Sequence, residues 1–193
     1  MKKQILMLNA LFIFLITFNA VGQSEKSGVY LTFNNYLNNK LLYEIDCKTE
    51  KHVIRFNMFL NAPYITVIHN GQKINLSKDS IYGVISCNEP LLRFQNKEHY
   101  HLVEKGPVWI FFKNEKKSQN KTLDTEKKYY FSIKGDGKLV ELTKENLKNT
   151  FPDNHKFHDI LDAQIQNDFK IAEYDSFHKM FKVNHLLQQA GQK

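Results

Sequence analysis

Short runs of hydrophobic residues, separated by turn-forming residues, dominate the chain between Asp79 and Lys113. Asparagine, glycine and proline favour turns over strands, so each interruption marks the end of one strand. Connections this short force neighbouring strands to run antiparallel. The pattern therefore predicts a β-meander with four strands: Ile81–Cys87, Leu91–Gln95, His99–Glu104 and Val108–Phe112. The last of these is apolar on both faces, which indicates that it is covered on both sides.

The same extended pattern continues on both sides of the meander, and Asn70-Gly71 is a strong hairpin signal. The polar stretch Asn114–Thr125 is typical of a mobile loop or an extended hairpin tip. The further predicted strands are Gly28–Thr32, Leu41–Cys47, His52–Leu60, Tyr64–His69, Lys73–Leu76, Lys128–Lys134 and Lys138–Leu142. In Lys128–Lys134 the alternation places Tyr129, Phe131 and Ile133 inward.

From residue 143 onward the hydrophobic period changes from two to about 3.6 residues, which is typical of helices. Thr143 is placed to cap a helix over Lys144–Asn149, and Thr32 to cap a short helical turn over Phe33–Asn38. A second C-terminal helix should begin at Asp153 or Asn154. A third should begin at Asp175 or Ser176 and end near Gly191.

These elements predict an α+β fold: an antiparallel β-meander, forming a curled sheet or partly closed barrel, with about three C-terminal helices packed on it. The meander would span residues 28–142 and the helical tail residues 143–188. Both belong to a single globular domain over residues 23–193, since no linker or internal repeat interrupts the chain.

The N-terminus has the composition of a secretory signal peptide over residues 1–22. Lys2 and Lys3 precede an apolar run from Ile5 to Phe18, and Ala20-Val21-Gly22 provides small residues before polar Gln23. The run is too short for a confident membrane span, and no second one follows. An uncleaved anchor is the alternative. The expected location is therefore the periplasm or the extracellular space.

Two cysteines, Cys47 and Cys87, fall in predicted strands. Disulfides persist in exported proteins, so pairing is expected, with two buried thiols as the alternative. Too few cysteines are present for a zinc knuckle.

Several short motifs resemble those of small exported proteins of unknown function from Bacteroidetes. They are Ile81-Tyr82-Gly83, Leu92-Arg93-Phe94, Tyr100, Gly106-Pro107-Val108-Trp109-Ile110, Leu142-Thr143-x-x-Asn146-Leu147 and Phe151-Pro152. The resemblance implies a location in the bacterial cell envelope. It implies no catalytic residues, because that group has no established activity.

Aromatic residues are abundant, with 15 Phe, 9 Tyr and 1 Trp. A meander can open onto an aromatic-lined pocket, in which apolar rings carry polar tips. The residues of this type on the predicted strands are Tyr64, Tyr82, Arg93, Tyr100 and Trp109. They form a candidate ligand site, and packing of the sheet against the helices is the alternative reading.

The motif His155-x-x-His158-Asp159-x-x-Asp162 places two imidazoles and two carboxylates on one side of a helix, where they could hold a divalent cation. A solvated polar face is the alternative. The pairs His99/His101 and His178/His185 also share a face of their elements. Nucleophile and phosphate-loop motifs are absent from the sequence.

The sequence thus favours an exported, non-enzymatic binding or envelope-associated protein that engages a small apolar molecule, a glycan or a protein. The alternatives are a metal-dependent hydrolase using the His155/His158/Asp159/Asp162 face and a structural or adaptor protein. No cofactor is indicated. Nucleic acid is not an expected partner, because the formal charge of +7 comes from scattered lysines.

Overall fold

The computed structural model of the protein describes residues 25–58, 62–119 and 122–191, and only the backbone of residues 116–119 and 122–124. The predicted signal peptide, residues 1–22, lies outside the described residues. Within them the α+β class is confirmed: a large antiparallel sheet carries helices that mostly follow it in the chain.

Thirteen strands lie in the described residues: β1 Lys26–Tyr30, β2 Leu42–Asp46, β3 Val53–Arg55, β4 Tyr64–His69, β5 Gln72–Ser77, β6 Gly83–Ile85, β7 Leu92–Gln95, β8 Glu98–Lys105, β9 Trp109–Gln119, β10 Thr122–Ser132, β11 Val140–Glu141, β12 Tyr174–Asp175 and β13 Met180–Phe181. Eight of them form the main sheet in the order β11-β10-β9-β8-β7-β6-β1-β2, which does not close on itself.

The predicted meander is present as β6 to β9, with each strand pairing antiparallel to the next. Strand β6 is shorter than predicted. The stretch Asn114–Thr125 belongs to the long β9–β10 hairpin, so the hairpin prediction is correct and the loop prediction is wrong. Cross-strand pairing of the backbone continues as far as Gln119 and Thr122.

Strands β3, β4 and β5 form a separate three-stranded sheet, so residues 28–142 make two layers where the sequence predicted one. Asn70 and Gly71 have φ values of 49° and 74°, which fits the predicted tight turn between β4 and β5. Ile65 and Val67 of β4 pack on Val29, Val84 and other buried residues of the main sheet.

The helices are α1 Phe33–Leu37, α2 Lys144–Thr150, α3 His155–Gln164 and α4 Lys182–Gly191. The last three pack on the β9–β10 half of one face of the main sheet. There Val108, Ile110 and Phe131 join Phe157, Leu161, Leu186 and other buried residues of the helices. The small sheet covers the β1–β6–β7 half of the same face.

The opposite face of the main sheet is covered by α1 and by the segment 134–139. Tyr30, Tyr82, Tyr100 and Phe111 are buried there with Leu139. The stretch Val108–Phe112 is therefore covered on both sides, as predicted. Ile133 does not point inward, because β10 ends at Ser132 and the chain turns away, which leaves Ile133 51% exposed.

The caps at Thr32 and Thr143 are confirmed, since their side chains accept from the backbone of Asn35 and Asn146. The third C-terminal helix begins later than predicted, at Lys182. Asp175 accepts from the backbone N–H groups of Phe177 and His178, and Lys179 has φ 54°, so this segment forms the turn of the β12–β13 hairpin.

The Cys47–Cys87 disulfide is confirmed, with 5.7 Å between the two Cα atoms. It ties the chain just after β2 to the chain just after β6, two strands that both pair with β1. No helix among the described residues is long and apolar enough to cross a membrane.

Candidate functional site

Four of the five predicted aromatic-site residues lie on the face that is covered by α1 and segment 134–139. Tyr82, Arg93 and Tyr100 are buried, and Trp109 is half-buried against Phe33 of α1. Tyr64 lies on β4 of the small sheet and is 39% exposed, so it does not join the others. None of the five lines either of the two cavities described below.

Arg93 is 5% exposed, and the described residues give it no carboxylate partner. Its Nη2 donates to the carbonyl oxygens of Gly137 and Asp136 at 2.8 and 3.3 Å. The guanidinium carbon lies 5.5 Å from the ring centre of Tyr82 and 5.7 Å from that of Phe111. Burial lowers the pKa of Arg93. The contacts hold segment 134–139 on the sheet, which is a structural role.

The helix face predicted to bind metal has other partners. The His158 Nε2 lies 2.9 Å from the carbonyl oxygen of Phe151, and Asp162 pairs with Lys144 and Lys148 at 3.0 and 2.5 Å. The His155 and His158 ring centres are 6.0 Å apart. The described part of the chain contains no group of three or more His, Cys, Asp or Glu side chains able to hold a metal.

The other histidines also lie in pairs. His178 stacks on His185 at 3.7 Å between ring centres, and its Nδ1 lies 2.6 Å from Asp175.

His52 Nε2 lies 2.7 Å from the hydroxyl oxygen of Ser27, but that hydroxyl bonds to the carbonyl of Ile85 and Ser27 is 2% exposed. A buried serine of this kind has no room for a substrate, so this Ser–His contact is structural.

Lys78 is the other buried cationic side chain among the described residues. It is 2% exposed, yet its ammonium group has neither a hydrogen bond nor an ion pair with any described residue. Buried lysines are rare unless they are paired, because removing a charge from water costs several kcal/mol. Burial lowers the pKa of Lys78, and the nearby carboxylate of Glu98 partly offsets this effect.

The backbone around Lys78 is firmly held. Lys78 follows β5 as the first residue of a single 3₁₀ turn, Lys78–Ser80, and its N–H donates to the carbonyl of Pro63 at 2.8 Å. Ser77 accepts from the N–H of Asp79 and receives the hydroxyl of Ser80.

Lys78 lines a cavity of about 400 Å³ between this turn and the β7–β9 part of the main sheet. The other charged or titratable residues of the lining are Lys97, Glu98, His99, Lys113 and Glu115. Burial and the neighbouring His101 lower the pKa of His99, so its ring is neutral near pH 7. The cavity is large enough for a small organic molecule.

The charges around this cavity do not cancel. Lys113 Nζ lies 3.4 Å from Glu98 and 3.3 Å from Glu115, so these carboxylates already share one cation. Lys97 stands exposed in the tight turn between β7 and β8, where it has φ 65° and forms no ion pair with the described residues. The cavity therefore has three lysines against two carboxylates and a positive potential.

A second cavity of about 520 Å³ lies between β10, β11 and the segment after α3. Its charged groups have protein partners: Glu141 pairs with Lys128 at 2.8 Å, and Asp168 accepts from the Lys144 N–H at 2.9 Å. Phe169 stands 79% exposed at this cavity. Because its polar groups are satisfied within the protein, it is a weaker candidate than the Lys78 cavity.

Sequence reasoning did not identify the Lys78 cavity. Lys78 stands between Ser77 and Asp79 in a polar stretch, where a lysine is normally exposed. Its partners in the lining come from β7, β8 and β9, and His99 was the only one of them that the sequence singled out. No local motif links these positions, because the meander brings them together through strand pairing.

No protein-family model, curated protein or solved structure matches this chain, so its likeness to the exported Bacteroidetes proteins stays a prediction.

Proposed function

We propose that the chain is an exported, non-enzymatic binding protein of the bacterial cell envelope, which holds a small anionic molecule in the Lys78 cavity. The observation that carries the proposal is the buried side chain of Lys78, which lines a cavity and whose ammonium group has no hydrogen bond or ion pair with any described residue. A native protein rarely keeps such a group without a use, since an apolar residue there would cost less.

The charge of the cavity favours an anion. Lys78 and Lys97 are not neutralised by the carboxylates of the lining, which are engaged with Lys113. A carboxylate, phosphate or sulfate group on a ligand would accept charge-assisted hydrogen bonds from these ammonium groups. Met58 adds an apolar surface to the lining, which suits the organic part of such a ligand.

Two independent features support the export part of this proposal. The first 22 residues have the composition of a signal peptide, and a disulfide joins Cys47 to Cys87. Disulfides of this kind form and persist in the periplasm and outside the cell. A binding role fits the sequence, in which nucleophile and phosphate-loop motifs are absent.

The test is calorimetric titration of the purified protein with inorganic phosphate, acetate and benzoate, repeated with Lys78→Met. We expect at least one of these anions to bind, and Lys78→Met to weaken binding about tenfold or more, which corresponds to one lost charge-assisted hydrogen bond. Lys73→Met is the matched control, because Lys73 is an exposed lysine on the preceding strand.

Native mass spectrometry of protein recovered from the periplasm would reveal a ligand that survives purification. Failure of all three anions to bind, or equal binding by the parent protein and Lys78→Met, would contradict the proposal. Binding that Lys73→Met weakens as much as Lys78→Met does would show only a general effect of surface charge.

A further inference from the structure

The chemistry available to Lys78 goes beyond holding an anion. It is the only buried lysine in the described part of the chain, and its Nζ is not committed to a hydrogen bond or ion pair there. A lysine that is buried as a residue, lacks a counter-ion and has its pKa lowered by burial holds a larger neutral fraction than an exposed lysine, and the neutral amine is the nucleophile.

We propose that Lys78 is a nucleophilic amine, which forms a reversible imine with the carbonyl group of an aldehyde or ketone that carries an anionic group. The inference rests on the proposed function, because it concerns the same ligand in the same cavity. It assigns the anionic end of that ligand to one part of the cavity and its carbonyl end to another. The anionic group lies toward Lys97 at the exposed turn, and the carbonyl group lies at Lys78 in the buried part of the cavity.

The step is balanced without a further reagent. The lone pair of Lys78 Nζ attacks the carbonyl carbon, a C–N bond forms, and the carbonyl π electrons move to oxygen. One proton passes from nitrogen to that oxygen to give a carbinolamine. The second nitrogen proton then passes to the hydroxyl oxygen as the C–O bond breaks, so that this oxygen leaves as water while the nitrogen lone pair forms the C=N bond. Hydrolysis reverses the sequence and releases the ligand.

The surroundings of Lys78 raise the fraction of neutral amine above that of an exposed lysine, while the ammonium form still binds the free anion. The low exposure of Lys78 disfavours the charged form, and the nearby carboxylate of Glu98, which partly offsets this effect, is shared with Lys113. Burial lowers the pKa of Lys78, and each unit of lowering gives about tenfold more neutral amine near pH 7. His99, a neutral ring in the same lining, can relay protons during loss of water.

Pyridoxal 5'-phosphate is a suitable probe, because it combines an aldehyde with a phosphate group. The full-length mature protein would be incubated with a limiting amount at pH 7.5 and treated with borohydride, which fixes any imine as a stable amine. Peptide mass mapping would then locate the label. We expect the fraction labelled at Lys78 to exceed that at any exposed lysine by about tenfold or more.

Two controls use the same readout. Inorganic phosphate in excess should protect Lys78 and leave the labelling of exposed Lys73 unchanged, and Lys78→Met should lose the imine absorbance that Lys73→Met retains. Labelling spread evenly over the exposed lysines, with Lys78 unmodified, would overturn the imine. If phosphate, acetate or benzoate still binds in that case, the proposed binding function stands without the imine, and if none of the three binds, both proposals fail. Because the main measurement uses the parent protein, a misfolded variant would not affect it.

Discussion

Asn184 of α4 forms two hydrogen bonds with the backbone of one residue, Val108, at the start of β9. Its Oδ1 accepts from the Val108 N–H at 2.9 Å, and its Nδ2 donates to the Val108 carbonyl at 3.0 Å. The same Nδ2 contacts Glu104, whose other carboxylate oxygen accepts from the Phe181 N–H at 2.7 Å. Asn184 is fully buried, so one side chain joins the last helix to the β8–β9 turn.

Asn184→Ala should destabilise the protein by about 3 kcal/mol, because it leaves the buried N–H and C=O of Val108 without partners. The measurement is the free energy of unfolding from urea titrations monitored by circular dichroism. Asn34→Ala is the control: Asn34 is exposed on α1, so its replacement should change the free energy by less than about 0.5 kcal/mol. Equal values for the two variants would show that the Val108 contact contributes nothing.

Gly106→Ala should also destabilise the protein, because the added methyl group would collide with the side chain of Asn184. A Cβ at position 106 would lie 2.7 Å from Asn184 Cγ, and the amide cannot move without losing its bonds to Val108. We expect a cost of about 2 kcal/mol. Gly191→Ala is the matched control, since a Cβ there meets no atom within 4 Å.

A double-mutant cycle separates this contact from a general effect of the glycine. In the Asn184→Ala background the amide is gone, so Gly106→Ala should cost at least about 1 kcal/mol less than it does in the parent protein. If the losses in free energy of unfolding of the two single variants add up exactly in the double variant, the strain of Gly106→Ala arises elsewhere in the turn and not at Asn184.

The sequence predicted most of the fold because its signals are local. The period of two in the meander, Asn70-Gly71 between β4 and β5, and the caps at Thr32 and Thr143 each act within a few residues. The late start of α4 was missed because Asp175 can cap either a helix or a turn. Lys179 has a positive φ, which favours the turn over a helix, and this backbone angle cannot be predicted from the residue types.

The candidate site was not predictable in the same way. Whether Lys78 is exposed depends on the small sheet folding over β6 and β7, and the sequence gives no sign that residues 53–77 leave the main sheet. Glu104 faces α4 because β8 has a bulge at Val103, which pairs Glu104 with Ile110. An extra residue of this kind reverses the direction of the side chains that follow and cannot be found by alternation alone.

Lys78→Met should raise the free energy of unfolding at pH 7 by about 1 kcal/mol, although it should weaken anion binding. The methionine fills a similar volume and removes the cost of a buried amine that has no counter-ion in the described residues. A substitution that raises stability while it weakens binding indicates a residue that serves function and not stability. Lys73→Met should leave stability within about 0.5 kcal/mol, and a loss above 1 kcal/mol in Lys78→Met would mean that the amine is a structural group.

Reduction of the disulfide should cost about 4 kcal/mol, because the bond closes a loop with a sequence separation of 40 residues and so restricts the unfolded chain. Urea titrations with and without dithiothreitol measure the difference. The double variant Cys47→Ala/Cys87→Ala should show the lower stability in both conditions. If dithiothreitol still lowers the stability of that variant, its effect does not come from the disulfide.

His99 and His101 should make the protein less stable in acid. Burial lowers the pKa of both rings, and for His99 the neighbouring His101 lowers it further. An unfolded imidazole has a pKa of about 6.5, so below that pH the unfolded chain binds protons that the folded chain does not. The stability that these rings contribute is therefore complete above pH 6.5 and is lost as pH falls through the lower, folded pKa values.

We expect the free energy of unfolding to fall by about 1 kcal/mol for each ring between pH 7.5 and pH 5, and His99→Gln/His101→Gln to remove that part of the slope. Urea titrations at half-unit pH steps provide the measurement. His155→Gln, which replaces an exposed imidazole outside the cavity, is the comparison variant. Because His99 lines the Lys78 cavity, its protonation also adds positive charge there, so anion affinity should rise over the same pH range in which stability falls. Parallel changes of affinity and stability would contradict this coupling.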